Sequence, residues 1–156
     1  MIKQINVFDL DGVLVDSSHR YRNKPNGSID IDYWIANHTP KMIALDKVLP
    51  THWRYVDSIL NPQIYVIICT VRTPHQMDID YINNKLGAPD KILMLGQKCK
   101  PFTKDYILKR RALQRVFNLR QFQNLPRMLW EDNQLNIDAL QDLFSRCIYV
   151  QSKQGV

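Results

Sequence analysis

Asp9 and Asp11 stand one residue apart, where the apolar residues Ile5, Val7 and Phe8 give way to Gly12. A strand interior gains nothing from carboxylates, which are costly to bury unless paired or metal-bound. In extended backbone, residues two apart project to the same side, so the two carboxylates can converge above a sheet edge. Gly12 permits a sharp turn directly behind them. Hard oxygen ligands converging at a strand end suit Mg²⁺, although an Asp-Gly turn closing a strand has the same appearance. Two further apolar runs end in reactive residue types. Ile64–Cys69 is followed by Thr70, Val71 and Arg72; Met128–Trp130 is followed by Glu131, the only glutamate in the chain, then Asp132 and Asn133. Acids at two strand ends and a hydroxyl at a third describe a metal and phosphoryl site.

Such a site needs its strands side by side. Short apolar runs rich in Ile, Val, Leu and aromatics predict strands at Lys3–Asp9, Ile64–Thr70, Lys91–Leu95, Arg127–Glu131 and Cys147–Gln151. Helices are predicted at Pro40–Leu60, His75–Leu86, Asp105–Asn118 and Gln134–Phe144, with Leu86-Gly87 before Pro89 as a stop. This alternation implies an α/β fold: a central parallel five-stranded sheet with helices on both faces, in three layers. Its ligand edge is the carboxyl end of the strands. The segment Ser17–Thr39 breaks the alternation, with a turn at Pro25, Asn26 and Gly27 and an Asp-Tyr-Trp stretch. Long excursions after a strand end tend to be lids or binding loops, so 17–39 is expected to form a short cap on one domain spanning 1–156. Within it, Tyr33 and Trp34 either stack on a base or tuck against the core, and His19 and Arg20 are candidates for the entrance.

A cationic partner for phosphate follows from helical geometry. At 100° per residue, Leu108, Ala112, Leu113, Val116, Phe117 and Leu119 form one apolar face, and Lys109 projects into its middle. An inward lysine is costly unless its ammonium meets an anionic site. Lys109 is therefore the leading candidate and Lys104 the second. Arg72, with its planar fork, is either a phosphate or substrate contact or a surface residue.

Composition limits the alternatives. The chain has 156 residues, 45% hydrophobic and 23% charged, which is globular and large enough for a proper core. No apolar run approaches the roughly 20 residues of a membrane span, and the N-terminus enters strand pattern without a signal-peptide signature. Cys69, Cys99 and Cys147 are odd in number and widely spaced, which implies reduced thiols, a cytoplasmic location and no zinc site. The net charge of +6 is concentrated: from Leu95 to Arg127 lie nine basic residues and one acid, Asp105. This block, 98–127, is either a solvated helix face or a contact for phosphate-rich ligands such as nucleic acid.

The order of these motifs resembles the haloacid dehalogenase-like (HAD) superfamily. Phe8-Asp9-Leu10-Asp11-Gly12-Val13-Leu14 matches its first motif, Thr70 its second, a helix lysine its third and Glu131-Asp132 its fourth. The resemblance extends to the phosphatase domains of nucleic-acid end-repair enzymes and to small HAD-like proteins of tailed phages. Those repair phosphatases tend to have two aspartates followed by arginine, where this chain has Glu131, Asp132 and Asn133. The resemblance implies a Mg²⁺-dependent phosphomonoester hydrolase with Asp9 as nucleophile and Asp11 as acid and base. Asp9, the Asp11 carbonyl and Asp132 would hold the metal, while Thr70 and Lys109 would hold phosphate oxygens, with Gly12 and Arg72 at the substrate. The substrate would be a nucleotide or a nucleic-acid end phosphate. A rival reading is a catalytically silent HAD-like module that binds nucleic acid or a protein through its basic helix.

Overall fold

The computed structural model describes residues 1–151. Five parallel strands form the central sheet: β1 (Gln4–Phe8), β4 (Ile64–Thr70), β5 (Lys91–Met94), β6 (Arg127–Glu131) and β7 (Arg146–Tyr149), in the order β5-β4-β1-β6-β7. All five lie within two residues of the segments predicted from the apolar runs. Parallel strands buried on both faces read as continuous hydrophobic sequence, which is why these were legible. β1 is central, with β4 on one side and β6 on the other, so the direction of winding reverses at β1 and opens a crevice above its carboxyl end.

Alternate residues of each strand feed two cores. Phe8, Val66, Ile68 and Trp130 pack with Tyr55 of α3 (His52–Leu60) and with Tyr81 and Ile82 of α4 (Gln76–Tyr81) and its π-helical continuation Ile82–Leu86. Ile5, Val7, Ile67, Cys69 and Leu129 pack with Leu113, Val116 and Phe117 of α5 (Asp105–Phe117) and Leu140 of α6 (Gln134–Leu140). The result is the three-layer, HAD-like arrangement. Leu119, placed on the apolar face of α5 by projection, lies beyond its end and is exposed.

One predicted helix is divided. Pro40–Leu60 forms α2 (Pro40–Ile43), a strand β3 (Lys47–Val48) and α3. Pro50 lacks the N–H a continuous helix would need, and the buried Asp46 is held by an ion pair that fixes the chain there. β3 pairs antiparallel with β2 (Val15–Asp16), so the excursion after β1 is closed at its base and runs on to Asp46. Its α-helices are α1 (Ile31–Ala36) and α2, and α1 is capped by the Asp30 carboxylate, which accepts from the Tyr33 N–H.

Phe8 ends β1 one residue before Asp9, fully buried, stacked on Trp130 at 4.4 Å and edge-on to Tyr55 at 5.4 Å. Replacing it by alanine removes the ring that anchors the strand end. Phe8→Ala is expected to cost about 3–5 kcal/mol of stability, read as a lowered midpoint in urea denaturation.

Candidate active site

The ladder carries Asp9 alongside β6: Phe8 is in register with Trp130, and the Asp9 N–H donates to the Trp130 carbonyl at 3.0 Å. This sets the Asp9 and Glu131 side chains at adjacent strand ends. Lys109, in the second turn of α5, reaches between them. Its Nζ donates to Glu131 Oε2 at 2.8 Å and lies 3.1 Å from Asp9 Oδ1. All three are buried, Glu131 and Lys109 almost completely. Asp132 joins them, so that Asp9, Glu131 and Asp132 each offer an oxygen within 4.8 Å of the others.

Three carboxylates against one ammonium leave a buried excess of two negative charges. The effect on protonation is large. Burial, then the Glu131 charge, push Asp9 well above the usual carboxylate range, with Lys109 opposing. Burial and Asp9 push Asp132 up to about 7. Lys109 moves upward despite burial, because Asp9 and Glu131 favour the ammonium. The donor set, all hard oxygens with two charges uncompensated, fits a divalent cation of the Mg²⁺ type.

Asp11 sits in a second ionic system. Arg72 donates from Nε to Asp11 Oδ2 at 2.9 Å and from Nη2 to Oδ1 at 2.5 Å, and the Ser17 hydroxyl donates to Oδ1 at 2.7 Å. The same guanidinium reaches Asp78 at 2.8 Å and Asp46 at 3.2 Å. Asp46 is also held by both Nε and Nη2 of Arg20, and Asp78 by His38 Nε2 at 2.7 Å. Burial alone would raise Asp11, but the Arg72 charge and hydrogen bonds bring it below its ordinary value. The expected convergence of Asp9 and Asp11 is thus a convergence on one pocket with separate partners.

Several readings are sharpened or corrected by these positions. Arg72 is not a surface residue: it is buried at the pocket wall, with four hydrogen bonds to three carboxylates. Arg20 is fully buried rather than at an entrance. Lys104 is exposed at the start of α5, whereas Lys109 is inside. Thr70 is buried at the end of β4, its Oγ1 accepting from the Arg72 N–H at 3.2 Å. Gly12 has φ of +80°, and a Cβ there would collide with the Asp132 carboxylate, so glycine makes room for the acid cluster. Asn136, one helical turn beyond Asp132, is buried and faces the pocket. Sequence reading passed over it; its spacing of four from Asp132 was the available signal. Within the basic block, Arg110 is bound by Asp142 and Arg127 lies over the Phe117 ring at 4.2 Å, so neither is a free surface charge.

A cavity of about 480 Å³ opens over these residues, within the usual range for small-molecule sites. Its floor is Asp9, Asp11, Thr70, Lys109 and Asp132, and its far wall is Tyr21, Ile29, Ile31 and Trp34 from the excursion. No helix among the described residues is long and apolar enough to cross a membrane.

The fold is of the HAD-like class. More particularly, the chain belongs to the bacteriophage T5 5′-deoxynucleotidase family, whose profile matches residues 1–132. No curated protein matches it. Among solved structures it is similar to a chain of the Pnkp1/Rnl/Hen1 RNA repair complex, at 16% identity and a TM-score of 0.68. That alignment covers 96% of this chain but only 42% of the other. It is also similar to a HAD-superfamily hydrolase, subfamily IA, variant 1, from Geobacter sulfurreducens PCA, at 14% identity and a TM-score of 0.53 over 88% of this chain and 83% of that one.

Two outcomes follow from this geometry. Gly12→Ala puts a Cβ into collision with Asp132 Oδ2 in a left-handed backbone conformation and should cost about 1–3 kcal/mol of stability, measured as a lowered urea midpoint. Asp78, lowered below its ordinary value because His38 and Arg72 outweigh its burial, stabilises the fold above about pH 4, and that contribution disappears as pH falls through its folded pKa. Asp78→Asn should cost about 3 kcal/mol at pH 7. In urea denaturation, the gap from wild type should narrow by pH 3.

Proposed function

We propose that this protein is a Mg²⁺-dependent phosphatase that releases phosphate from 5′-deoxynucleotides through an aspartyl-phosphate on Asp9. The observation that carries the reading is the buried set Asp9, Lys109, Glu131 and Asp132 at one sheet edge. Membership of a 5′-deoxynucleotidase family supports the substrate class. Asp9, Asp132 and the Asp11 carbonyl would hold the metal, with Glu131 tied instead to Lys109. When bound, the cation offsets the charge between the Asp9 carboxylate and the phosphate and neutralises charge in the transition state.

In the first step an Asp9 oxygen bonds to phosphorus as the ester P–O bond breaks, and the leaving oxygen takes a proton from Asp11. In the second, a water oxygen bonds to phosphorus, its proton passes to Asp11, and the Asp9–phosphorus bond breaks to release phosphate. Arg72 and Ser17 keep Asp11 ionised in the free protein, ready as the base. A phosphomonoester, with a second ionisation near about pH 6, can carry in the proton the first step needs. Lys109 and Thr70 hold the non-bridging oxygens, so the chain's contribution is positioning and electrostatics. The excursion from Ser17, extending past Thr39 to Asp46, is the cap over this site. Three unpaired thiols, Cys69, Cys99 and Cys147, fit work in a reducing cytoplasm.

The test is phosphate release from deoxynucleoside monophosphates, p-nitrophenyl phosphate and 3′-phosphorylated oligonucleotides, with Mg²⁺ or EDTA. Release should stop in EDTA and return with Mg²⁺, and Mg²⁺ should also raise the melting temperature, since it binds only the folded protein. Asp9→Asn should lose about a thousand-fold or more in kcat. Lys109→Ala should lose about 10²–10³-fold, and Lys104→Ala less than about two-fold, within the usual neutrality of surface positions. Absence of turnover on every substrate, with salt-sensitive oligonucleotide binding, would replace this reading by that of a binding module.

A further inference from the structure

Beside the catalytic pocket lies a second cavity of about 520 Å³, reached through shared walls of Ile31, Trp34, Val71, Arg72 and Asp105. The two cavities therefore adjoin, with a change of chemistry from one to the other. At the catalytic end the lining is ionic. At the far end it is aromatic, aliphatic and amide: Trp34, Ile35, His75, Gln97, Phe102 and Thr103.

The apolar side chains here are conspicuously uncovered. α1 buries none of its residues, yet Ile31, Trp34 and Ile35 are spaced i, i+3, i+4 and form one apolar face. Ile35 is 63% exposed, and Phe102, in the loop between β5 and α5, is 46% exposed. Both line the second cavity. A helix that turns its apolar stripe to an open cavity leaves that surface in water, and a ligand that covers the stripe recovers the lost burial. Phosphate-binding groups are few at this end: Arg72 is bound to carboxylates, and Lys98 is the further cation among the described lining residues. Hydrogen-bonding groups are present. The Gln97 Oε1 accepts from the Thr103 N–H at 2.6 Å, which fixes the amide and leaves its N–H₂ available beside the aromatic wall.

An occupant that is anionic at one end and a flat, uncharged, hydrogen-bonding ring at the other matches this sequence of chemistries. We propose that the second cavity is a nucleobase subsite, holding the base of the nucleotide whose phosphate lies over Asp9, between the Ile31, Trp34 and Ile35 face and Phe102. The proposal rests on the phosphatase reading above and adds where the base is held. It assigns substrate selection to two segments outside the chemistry, α1 and the loop carrying Gln97 and Phe102.

The test compares a deoxynucleoside 5′-monophosphate with deoxyribose 5-phosphate, which has the same reacting phosphate and no base. The wild type should prefer the nucleotide by about ten-fold or more in kcat/KM, as base stacking on aromatic side chains is worth roughly 1–3 kcal/mol. The preference should lie in KM. Ile35→Asp and Phe102→Ala should each reduce it at least about five-fold by raising the nucleotide KM, within that same stacking range. Equal kcat/KM for the two substrates, or a preference unmoved by both variants, would overturn the subsite while leaving the phosphatase intact. If neither substrate is hydrolysed, the phosphatase reading fails and binding decides the subsite. Quenching of tryptophan fluorescence by the nucleotide that Ile35→Asp abolishes would sustain it, and no quenching in the wild type would sink it.

Discussion

An ammonium held between two buried carboxylates is the constraint on which the site depends. Lys109 reaches Glu131 at 2.8 Å and Asp9 at 3.1 Å in a place with little access to water. Any one of these charges alone would be expensive to bury, and each is tolerated because the others are there. The requirement reaches far into the fold. β1 and β6 must be neighbours in a fixed register for Asp9 and Glu131 to meet. α5 must cross with Lys109 turned inward among Leu113, Val116 and Phe117. Gly12 must lack a side chain for Asp132 to approach. Stability and chemistry draw on the same contacts, so changes to the cluster act on both.

The second ionic system ties the excursion to that frame. Arg72 follows β4, and its three carboxylate partners come from three places: Asp11 behind β1, Asp46 at the end of the excursion, and Asp78 in α4. Arg20 and His38, both within the excursion, close the network on Asp46 and Asp78. Arg20 also lies 4.2 Å from the Trp34 ring centroid. The wall of the pocket is thereby braced by buried charge pairs that end at Asp11. A network of this kind is stable only when nearly every member is satisfied, so the excursion and Asp11 are positioned together.

Much of this was legible in the residues. The five strands announced themselves as apolar runs, and the reactive types fell at their carboxyl ends. Projection turned Lys109 inward and Lys104 outward, and the structure buries the first and exposes the second. Other features leave no local trace. Arg72 sits 61 residues from Asp11 and 26 from Asp46, and only the folded topology makes them partners. Pro40–Leu60 has a helical composition, but the ion pair at Asp46 and the ribbon at Lys47–Val48 decide otherwise. The basic block illustrates a further limit. Counting charges from 98 to 127 cannot separate Lys109, spent inside the site, or Arg110, bound to Asp142, from side chains free to meet a ligand.

Asp9 and Asp11 show how identical side chains two residues apart acquire different environments. Sequence spacing gives them the same direction and the same pocket, and nothing in the two letters separates them. Their neighbours do. Burial and Glu131 drive Asp9 upward, whereas Arg72 and Ser17 overcome burial and hold Asp11 down. Environments that push paired acids apart are what assign nucleophile, acid and base roles in carboxylate chemistry. The upward pressure on Asp9 comes from burial and then from crowding by like charge, and a divalent cation would relieve the second. The downward pressure on Asp11 comes from a protein cation that is permanently charged and built into the fold. One acid therefore depends on what the site binds, and the other on how the chain is folded, which is a physical reason for the excursion to be anchored through Arg72.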